Sequence, residues 1–258
     1  MTKIKPEKSV ILVGDKFQGF SDNHDHIVTL GQLEKMVWEA DELPINQIVV
    51  GQGVCHRRLA CIQTIMLRRF TDASPRIINY EQIMDQLNPA LSKVTHKHHL
   101  QNVLISVPGQ LTENCYQSKL AIHDATELLG DHMTGQHIQG MVLTEAARQM
   151  MLAVAELFML EGHERSQFYF ILNKVESDYR RFAFPIETDV RLTIVDSARK
   201  KGNSLHAEVQ VEFVQQEETL AVVTILFAAY DKDLIARKEH ELALTRVERL
   251  ARDARIYS

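Results

Sequence analysis

The chain has 258 residues, of which 45% are hydrophobic and 24% charged, a balance typical of a protein with an ordinary packed core. Its formal net charge of −5 argues against general nucleic-acid binding, which requires a basic surface. The three cysteines form no CxxC pair, and no apolar run reaches membrane-spanning length. We therefore expect a cytoplasmic protein without a signal peptide or a membrane segment.

Residues 9 to 93 alternate between short apolar runs and helical patterns. The runs predicted as strands are Ser9–Gly14, Gln47–Val50 and Arg76–Tyr80. The patterns predicted as helices are Thr29–Leu43 (Thr29 as N-cap, with Leu30, Leu33, Val37 and Trp38 on the apolar face), Cys55–Phe70 and Glu81–Leu91. Apolar strands that alternate with helices are typical of parallel βαβ units, so residues 1–93 are predicted to form a small α/β module.

Beyond residue 93 the pattern changes to strands around one long apolar helix, Met141–Leu160. The predicted strands are Gln101–Val107, Asn114–Ile122, Phe168–Val175, Asp189–Val195, Ser204–Phe213 and Thr219–Tyr230. The last strand is apolar on both faces and is expected inside the sheet. An antiparallel sheet around one helix is the hotdog architecture. We predict an α+β fold with a hotdog domain at 94–232 and a helical extension at 233–258.

Three polar residues interrupt the apolar helix on one face. Glu145, Arg148 and Gln149 stand at positions i, i+3 and i+4, so their side chains lie next to one another. Burial would raise the pKa of a carboxyl group here, and a neighbouring guanidinium would lower it again. Glu145 and His137, which precedes the helix, could form an acid/base pair near neutral pH. Equally, Glu145 and Arg148 could simply pair with each other.

The sequence around this helix resembles the signature of a known family. Residues 136–149, QHIQGMVLTEAARQ, resemble the helix motif of the A-factor biosynthesis (AfsA) hotdog family. The segments VTHKHHLQNVLIS, LLGDHMTGQH and DYRRFAFPIETDVRL resemble the elements that flank that motif. The resemblance covers roughly residues 94–230. It assigns functional roles to residues of the central helix, of the loop that precedes this helix and of the segment VTHKHHLQNVLIS. These residues are Asp131, His132, His137, Glu145, Arg148, Gln149 and Lys97.

The resemblance implies an acyltransferase. Such an enzyme would condense a β-ketoacyl thioester of acyl carrier protein with glycerone phosphate or a similar alcohol, in the biosynthesis of a γ-butyrolactone or another signalling molecule. Glu145, His137 and His132 would be catalytic. The expected substrate-binding groups are the backbone N–H groups of Gly140 and Met141, which would polarise the acyl carbonyl, and the side chains of Arg148, Gln149, Asp131 and Lys97.

Family members usually carry two hotdog repeats in one chain, whereas one repeat is recognisable here. We therefore expect a homodimer that supplies the second repeat. Two alternatives remain open at this stage. The domain could be a thioesterase or dehydratase for carrier-bound acyl chains, since an Asp-His-x-x-Gly loop and a helical glutamate also resemble the hydroxyacyl-carrier-protein dehydratases. It could instead be a non-catalytic subunit that binds acyl chains or acyl carrier protein.

Other polar segments of the sequence give weaker indications of a ligand, metal or catalytic site. Gly14-Asp15 and Gly51-Gln-Gly53 follow predicted parallel strands, where open α/β sheets bind ligands, but a tight turn is the commoner use of such glycines. Asp22–His26 could bind a metal, although loops of this composition are common. Cys55 begins a helix, but no paired base is identifiable. We therefore predict neither a metal site nor a cofactor.

Overall fold

The computed structural model describes residues 8–79, 88–130, 134–160, 168–200 and 204–254. Its first sheet contains the strands β1 (Ser9–Val13), β2 (Ile27–Thr29), β3 (Gln47–Val50) and β4 (Arg76–Ile77). These strands are all parallel and lie in the order β2-β1-β3-β4. The predicted parallel sheet is therefore present, and β2 is a strand that the sequence pattern did not indicate.

The helices of this part are α1 (Gln18–Asp22), α2 (Leu30–Glu39) and α3 (His56–Phe70). The predicted cap of α2 is confirmed, because the Thr29 hydroxyl accepts the N–H of Gln32 at 3.2 Å and the Gln32 side chain accepts the N–H of Thr29 at 2.8 Å. The helix ends four residues before the predicted end, since the backbone of Ala40 is extended. Trp38 is 57% exposed, because one helical step of 100° carries it off the buried face of Val37.

The second sheet is antiparallel and contains the long strands of the fold. Its members are β5 (Gly109–Thr112), β6 (Cys115–Lys119), β7 (Phe168–Tyr179), β8 (Asp189–Lys200), β9 (Ser204–Gln215) and β10 (Glu218–Asp231). They lie in the order β5-β6-β8-β9-β10-β7, so the doubly apolar β10 has a neighbour on each side, as predicted. Alternate residues of β9 from Leu205 to Phe213 are buried, as their spacing predicted.

The sheet wraps around a central helix. After the short helix α4 (Pro89–Val94), the long helix α5 (Gly140–Val154) packs against β7, β8, β9 and β10. Ala146, Ala147 and Ala153 are fully buried, which lets the sheet approach the helix closely. The last predicted turn is not α-helical but a π-helical turn at Ala155–Met159. A long helix enclosed by an antiparallel sheet is a hotdog fold, and the parallel module precedes it.

The predicted strand Gln101–Val107 is wrong. The structure has a 3₁₀ turn at Leu100–Asn102 and a single bridge between Ile105 and Leu120, while β5 begins at Gly109. The side chain of Gln149 explains the difference, because it accepts the N–H of Leu104 at 2.8 Å and donates to the carbonyl of Asn102 at 2.9 Å. Backbone groups satisfied by a buried side chain need no neighbouring strand.

The chain ends in a charged helix, α6 (Lys232–Ala254), as predicted. Ile235 is buried, whereas Leu242, Val247 and Leu250 are between 59% and 72% exposed. Within the described ranges no helix combines the length and the apolar character needed to cross a membrane. Most of the predicted helix Glu81–Leu91 falls outside the described residues.

Candidate active site

The polar face predicted for the central helix forms a tight cluster. The guanidinium of Arg148 donates to both carboxylate oxygens of Glu145, at 2.7 and 2.8 Å. Gln149 Nε2 donates to the same carboxylate at 3.0 Å. These contacts follow directly from the i, i+3 and i+4 spacing on one helix.

A fourth member comes from a distant segment. The ammonium group of Lys97 lies 2.7 Å from Glu145 Oε1, so two cations share one carboxylate. Lys97 reaches it because the chain turns sharply after α4. His96 adopts a left-handed conformation with φ of 54°, and the N–H of Lys97 donates to Ser92 at 2.8 Å. The resemblance predicted Lys97 as a binding residue, and the structure places it against Glu145.

The surroundings of Glu145 determine its charge. Burial alone would raise the pKa of its carboxyl group, but hydrogen bonds from Arg148, Lys97 and Gln149 outweigh burial and lower the pKa to about 2. With these partners in place Glu145 does not titrate near neutral pH, and its predicted acid/base role stays a prediction. The carboxylate is ionised at physiological pH and orients the two cations.

Gln149 lies behind this cluster and is fully buried. Its amide joins Glu145 to the backbone of Asn102 and Leu104, so it connects the helix to the segment that follows Lys97. A buried amide whose hydrogen bonds are all made fixes its neighbours in one arrangement. The structure therefore gives Gln149 a positioning role, whereas the sequence analysis predicted contact with substrate.

The cluster opens into a cavity of about 670 Å³. Its polar lining includes Lys97, Glu145 and Arg148, and its apolar lining comes from Met141, Leu128 and the β7 residues Leu172, Val175 and Tyr179. Met141 is 65% exposed at the rim. The cavity thus combines an apolar wall with a charged end, which suits a substrate with an acyl chain and an anionic group.

Gly140 allows β7 to approach the start of α5. A Cβ atom at this position would lie 2.8 Å from the ring of Tyr179. The Tyr179 hydroxyl is 2.6 Å from the Thr144 hydroxyl, which is in turn 2.9 Å from the hydroxyl of Ser177. Sequence reasoning assigned no role to Tyr179 or Ser177, because the predicted strand stopped at Val175. The strand alternation continues beyond Val175, and this pattern could have extended the predicted strand to Tyr179.

The predicted loop histidine lies elsewhere. His137 Nδ1 is 3.2 Å from the Thr134 hydroxyl, and its ring is 4.8 Å from the ring of Phe182. His137 does not line the cavity that contains Glu145, and its described contacts are with Thr134 and Phe182, so the acid/base pair stays a prediction. The other predicted loop residues, Asp131 and His132, lie outside the described residues.

The sequence analysis considered a ligand site at the glycine turns that follow the parallel strands. The structure fills these turns with protein groups. A Cβ atom on Gly14 would lie 1.7 Å from the carbonyl oxygen of Gly53, and a Cβ atom on Gly53 would lie 2.7 Å from the ring of Phe17. Gln52 is buried, and its side chain donates to Leu120 and accepts from the N–H of Ile122. This turn therefore fastens the parallel module to the hotdog domain instead of cradling a phosphate. The polar stretch 22–26 contributes to no three-ligand metal cluster in the described chain.

Comparison with known proteins gave one family match and several structural matches. The model of the A-factor biosynthesis hotdog domain family matches residues 79–231. A search of curated proteins found no match. Similar solved structures include a conserved protein from Pseudomonas aeruginosa, with 17% identity, a TM-score of 0.36, and coverage of 56% of this chain and 96% of that one.

Two further structures carry the word thioesterase in their descriptions. A mutant thioesterase from Pseudomonas aeruginosa has 11% identity and a TM-score of 0.40, covering 56% of this chain and 96% of its own. A thioesterase from Haemophilus influenzae has 12% identity and a TM-score of 0.37, covering 57% of this chain and 88% of its own.

Proposed function

The chain belongs to the A-factor biosynthesis hotdog family, whose model matches more than half of its length, and on this premise we propose that it is an acyltransferase. Its substrates are a β-ketoacyl thioester, carried on acyl carrier protein, and glycerone phosphate or a similar alcohol. The product is an ester used in secondary-metabolite or signalling-molecule biosynthesis. The observation that carries this proposal is the pair of cations, Lys97 and Arg148, held by one carboxylate at the charged end of an apolar cavity.

The acceptor is held by its phosphate. Lys97 and Arg148 are 24% and 28% exposed at their side chains, so both retain donors that face the cavity. A guanidinium binds phosphate through two parallel hydrogen bonds, and an ammonium group adds a compact charge. Glu145 keeps both cations in place before the substrate arrives, which lowers the entropy lost on binding.

The acyl carbonyl lies at the start of α5. The helix has no side-chain N-cap; the N–H of Val142 donates to Gln139, whereas the N–H groups of Gly140 and Met141 precede the first intrahelical hydrogen bonds. The N–H groups of Gly140 and Met141 polarise the thioester carbonyl, and the positive end of the helix dipole stabilises the negative charge of the tetrahedral intermediate. The acyl chain extends along the apolar wall of β7, and no cofactor takes part.

Proton transfer depends on the bound acceptor. While Lys97 and Arg148 hydrogen-bond to Glu145, its pKa of about 2 makes it a weak base. A phosphate that draws these donors away removes the interactions that lower the pKa. Burial then raises it, so Glu145 becomes basic enough to take the hydroxyl proton when the acceptor is in place. The hydroxyl oxygen attacks the thioester carbonyl, and the carrier thiol leaves.

The test is mass spectrometry of the purified chain mixed with a β-ketoacyl thioester, with and without glycerone phosphate. We expect acylated glycerone phosphate from the wild type, a loss of about a hundredfold or more in Glu145→Gln, and a clear reduction in Arg148→Lys, which keeps the charge but not the paired donors. Glu113→Gln, an exposed residue of the β5–β6 turn, is the matched control and should retain full activity.

The other outcomes would point to the alternatives. Free acid or an enone that forms equally without acceptor would replace the transferase with a thioesterase or a dehydratase. Retention of the acyl thioester without turnover, unchanged in Glu145→Gln, would indicate a binding subunit. Equal product formation by wild type and Arg148→Lys would contradict the phosphate-binding role of the guanidinium.

A further inference from the structure

A second cluster of chemically active side chains lies where the parallel module meets the hotdog domain. Cys55 caps the start of α3, and His123 and Asp124 follow the end of the β6 segment. Two hydrogen bonds join these segments, since the N–H of Gly53 donates to the carbonyl of Ile122 at 2.7 Å and the side-chain Oε1 of Gln52 accepts the N–H of Ile122 at 2.8 Å. The cluster is distinct from the cavity that contains Glu145.

The three side chains converge. One ligand atom each from Cys55, His123 and Asp124 lie within 4.8 Å of one another. Tetrahedral zinc has bonds of about 2.0–2.3 Å to nitrogen, oxygen and sulfur, so its ligand atoms lie roughly 3–4 Å apart. Small side-chain adjustments would bring these three atoms onto one ion. It is the only such cluster found among the described residues.

Two buried polar atoms at this place have no assigned hydrogen bond within the described chain, although one of them, Asp124 Oδ1, lies 2.8 Å from His123 Nδ1. They are Nδ1 of His56 and Oδ1 of Asp124. His56 is 8% exposed, and its ring lies 5.4 Å from the ring of His123. Buried polar atoms are normally satisfied, and leaving one unpaired costs free energy. A cation in the cluster would give Asp124 Oδ1 a partner.

The contact between His123 and Asp124 needs a proton or a cation between the two atoms. His123 Nδ1 lies 2.8 Å from Asp124 Oδ1 and accepts the N–H of Ala125 at 3.0 Å. A nitrogen that accepts a hydrogen bond presents a lone pair, and a carboxylate oxygen does the same. A proton or a metal ion near both atoms removes their repulsion, and the nearby thiol and second imidazole favour the metal.

We propose that Cys55, His123 and Asp124 bind a zinc-type divalent ion through one ligand atom each. Sulfur and imidazole ligands select zinc over magnesium and calcium, which prefer all-oxygen sites. A thiolate and a carboxylate balance the two charges of the ion, and Arg57 is a nearby cation that opposes it.

The ion would act as a structural link. It would join the turn before α3 to residues 123 and 124, and the same segment continues into Thr126, Glu127 and Leu128 of the cavity wall. Metal binding would therefore fix one wall of the substrate cavity against the parallel module. This inference does not depend on the proposed acyl transfer.

The test is a titration of the full metal-stripped chain with Co²⁺ as a spectroscopic probe, together with zinc analysis of the purified protein. We expect about one ion per chain, a thiolate-to-cobalt charge-transfer band, and a melting temperature that rises with added Zn²⁺. Cys55→Ser and Asp124→Asn should each weaken binding by about tenfold or more, and Cys55→Ser should abolish the charge-transfer band. Cys61→Ser, an exposed cysteine of the same helix, is the matched control and should bind as the wild type does.

Two results would overturn the site. One is a wild-type chain that binds no ion, and the other is a Cys55→Ser chain that binds as tightly as Cys61→Ser with the same band. Circular dichroism of each variant separates loss of binding from loss of fold. If Cys55→Ser does not fold, the Co²⁺ titration and the melting temperature of Asp124→Asn test the site instead. Binding as tight as that of Cys61→Ser would then overturn it.

Discussion

Glu145 shows how its neighbours determine what a carboxylate can do. Two cations and an amide donate to it, so burial does not raise its pKa as it would for an isolated carboxyl group. In the substrate-free state the residue serves as an anchor for Lys97 and Arg148. Its basicity is therefore expected to depend on whether those cations are engaged elsewhere.

The lowered pKa of Glu145 predicts a pH-dependent contribution to stability. Because the folded pKa of about 2 lies below the ordinary 4.5, the stabilisation is complete above pH 4.5 and is lost as pH falls toward 2. Glu145→Gln should destabilise the protein by about 1–2 kcal/mol at neutral pH, since the lost hydrogen bonds are charge-assisted but partly exposed. Denaturant unfolding of both proteins across this pH range is the measurement. A constant difference down to pH 2 would contradict the assignment.

Gly140 offers a prediction about the cavity rim. In Gly140→Ala the new methyl group would displace the Tyr179 ring and break its hydrogen bond to Thr144. The ring is 47% exposed and can move, so we expect a stability change below about 1 kcal/mol but a several-fold loss of turnover. Gly109→Ala, where the nearest atom is 4.0 Å away, is the control. Equal turnover in both variants would show that the rim geometry is unimportant.

At the scale of elements, the turn between β3 and α3 joins the two parts of the fold. Gln52 places a side-chain amide between the backbone groups of Leu120 and Ile122, and the backbones of Gly14 and Gly53 meet closely beside it. The hydrophobic core also runs across this junction, since Val13 and Phe17 pack with residues of the hotdog domain. The parallel module is therefore part of the packing of the hotdog domain.

Gln52→Leu tests this junction. The substitution keeps the volume but leaves the carbonyl of Leu120 and the N–H of Ile122 buried without partners, so it should cost about 1–3 kcal/mol of unfolding free energy. Gln18→Leu, at an exposed position of α1, should change the unfolding free energy by less than about 0.5 kcal/mol. Thermal or denaturant unfolding distinguishes the two, and equal stability of both variants would argue against a stabilising junction.

At the scale of the molecule, β7 forms an edge of the sheet in the described chain. It is twelve residues long, and Leu172, Val175 and Tyr179 are between 41% and 47% exposed while lining the cavity. A long edge strand with apolar side chains is a surface on which a second chain can pair. The expected homodimer would cover this edge and close the cavity.

Val175→Lys places a charge on that apolar wall. We expect light scattering to give twice the chain mass for the wild type and a shift toward one chain mass for the variant, with reduced activity. Val195→Lys changes a residue that is 57% exposed on the interior strand β8 and should remain dimeric. A wild-type protein of one chain mass at micromolar concentration would exclude the dimer.

The spacing of apolar residues in the sequence correctly predicted those strands and helices in which buried side chains recur at a regular interval. The alternation in β9, the doubly apolar β10 and the capped start of α2 are local patterns, and the structure bears them out. The failed strand at 101–107 shows the limit. Val103, Leu104 and Ile105 are buried as expected, but the N–H of Leu104 and the carbonyl of Asn102 bond to Gln149, which lies 45 residues from Leu104 in the sequence.

The sequence by itself determined the helix face that carries Glu145, Arg148 and Gln149, because their contacts follow from helical spacing. It also indicated the hotdog architecture and the family, since both depend on local patterns and motifs. Only the tertiary structure decided that Lys97 joins Glu145, that His137 lies apart from it, and that Cys55 meets His123 and Asp124. Those contacts depend on how distant segments pack together, which no local period encodes.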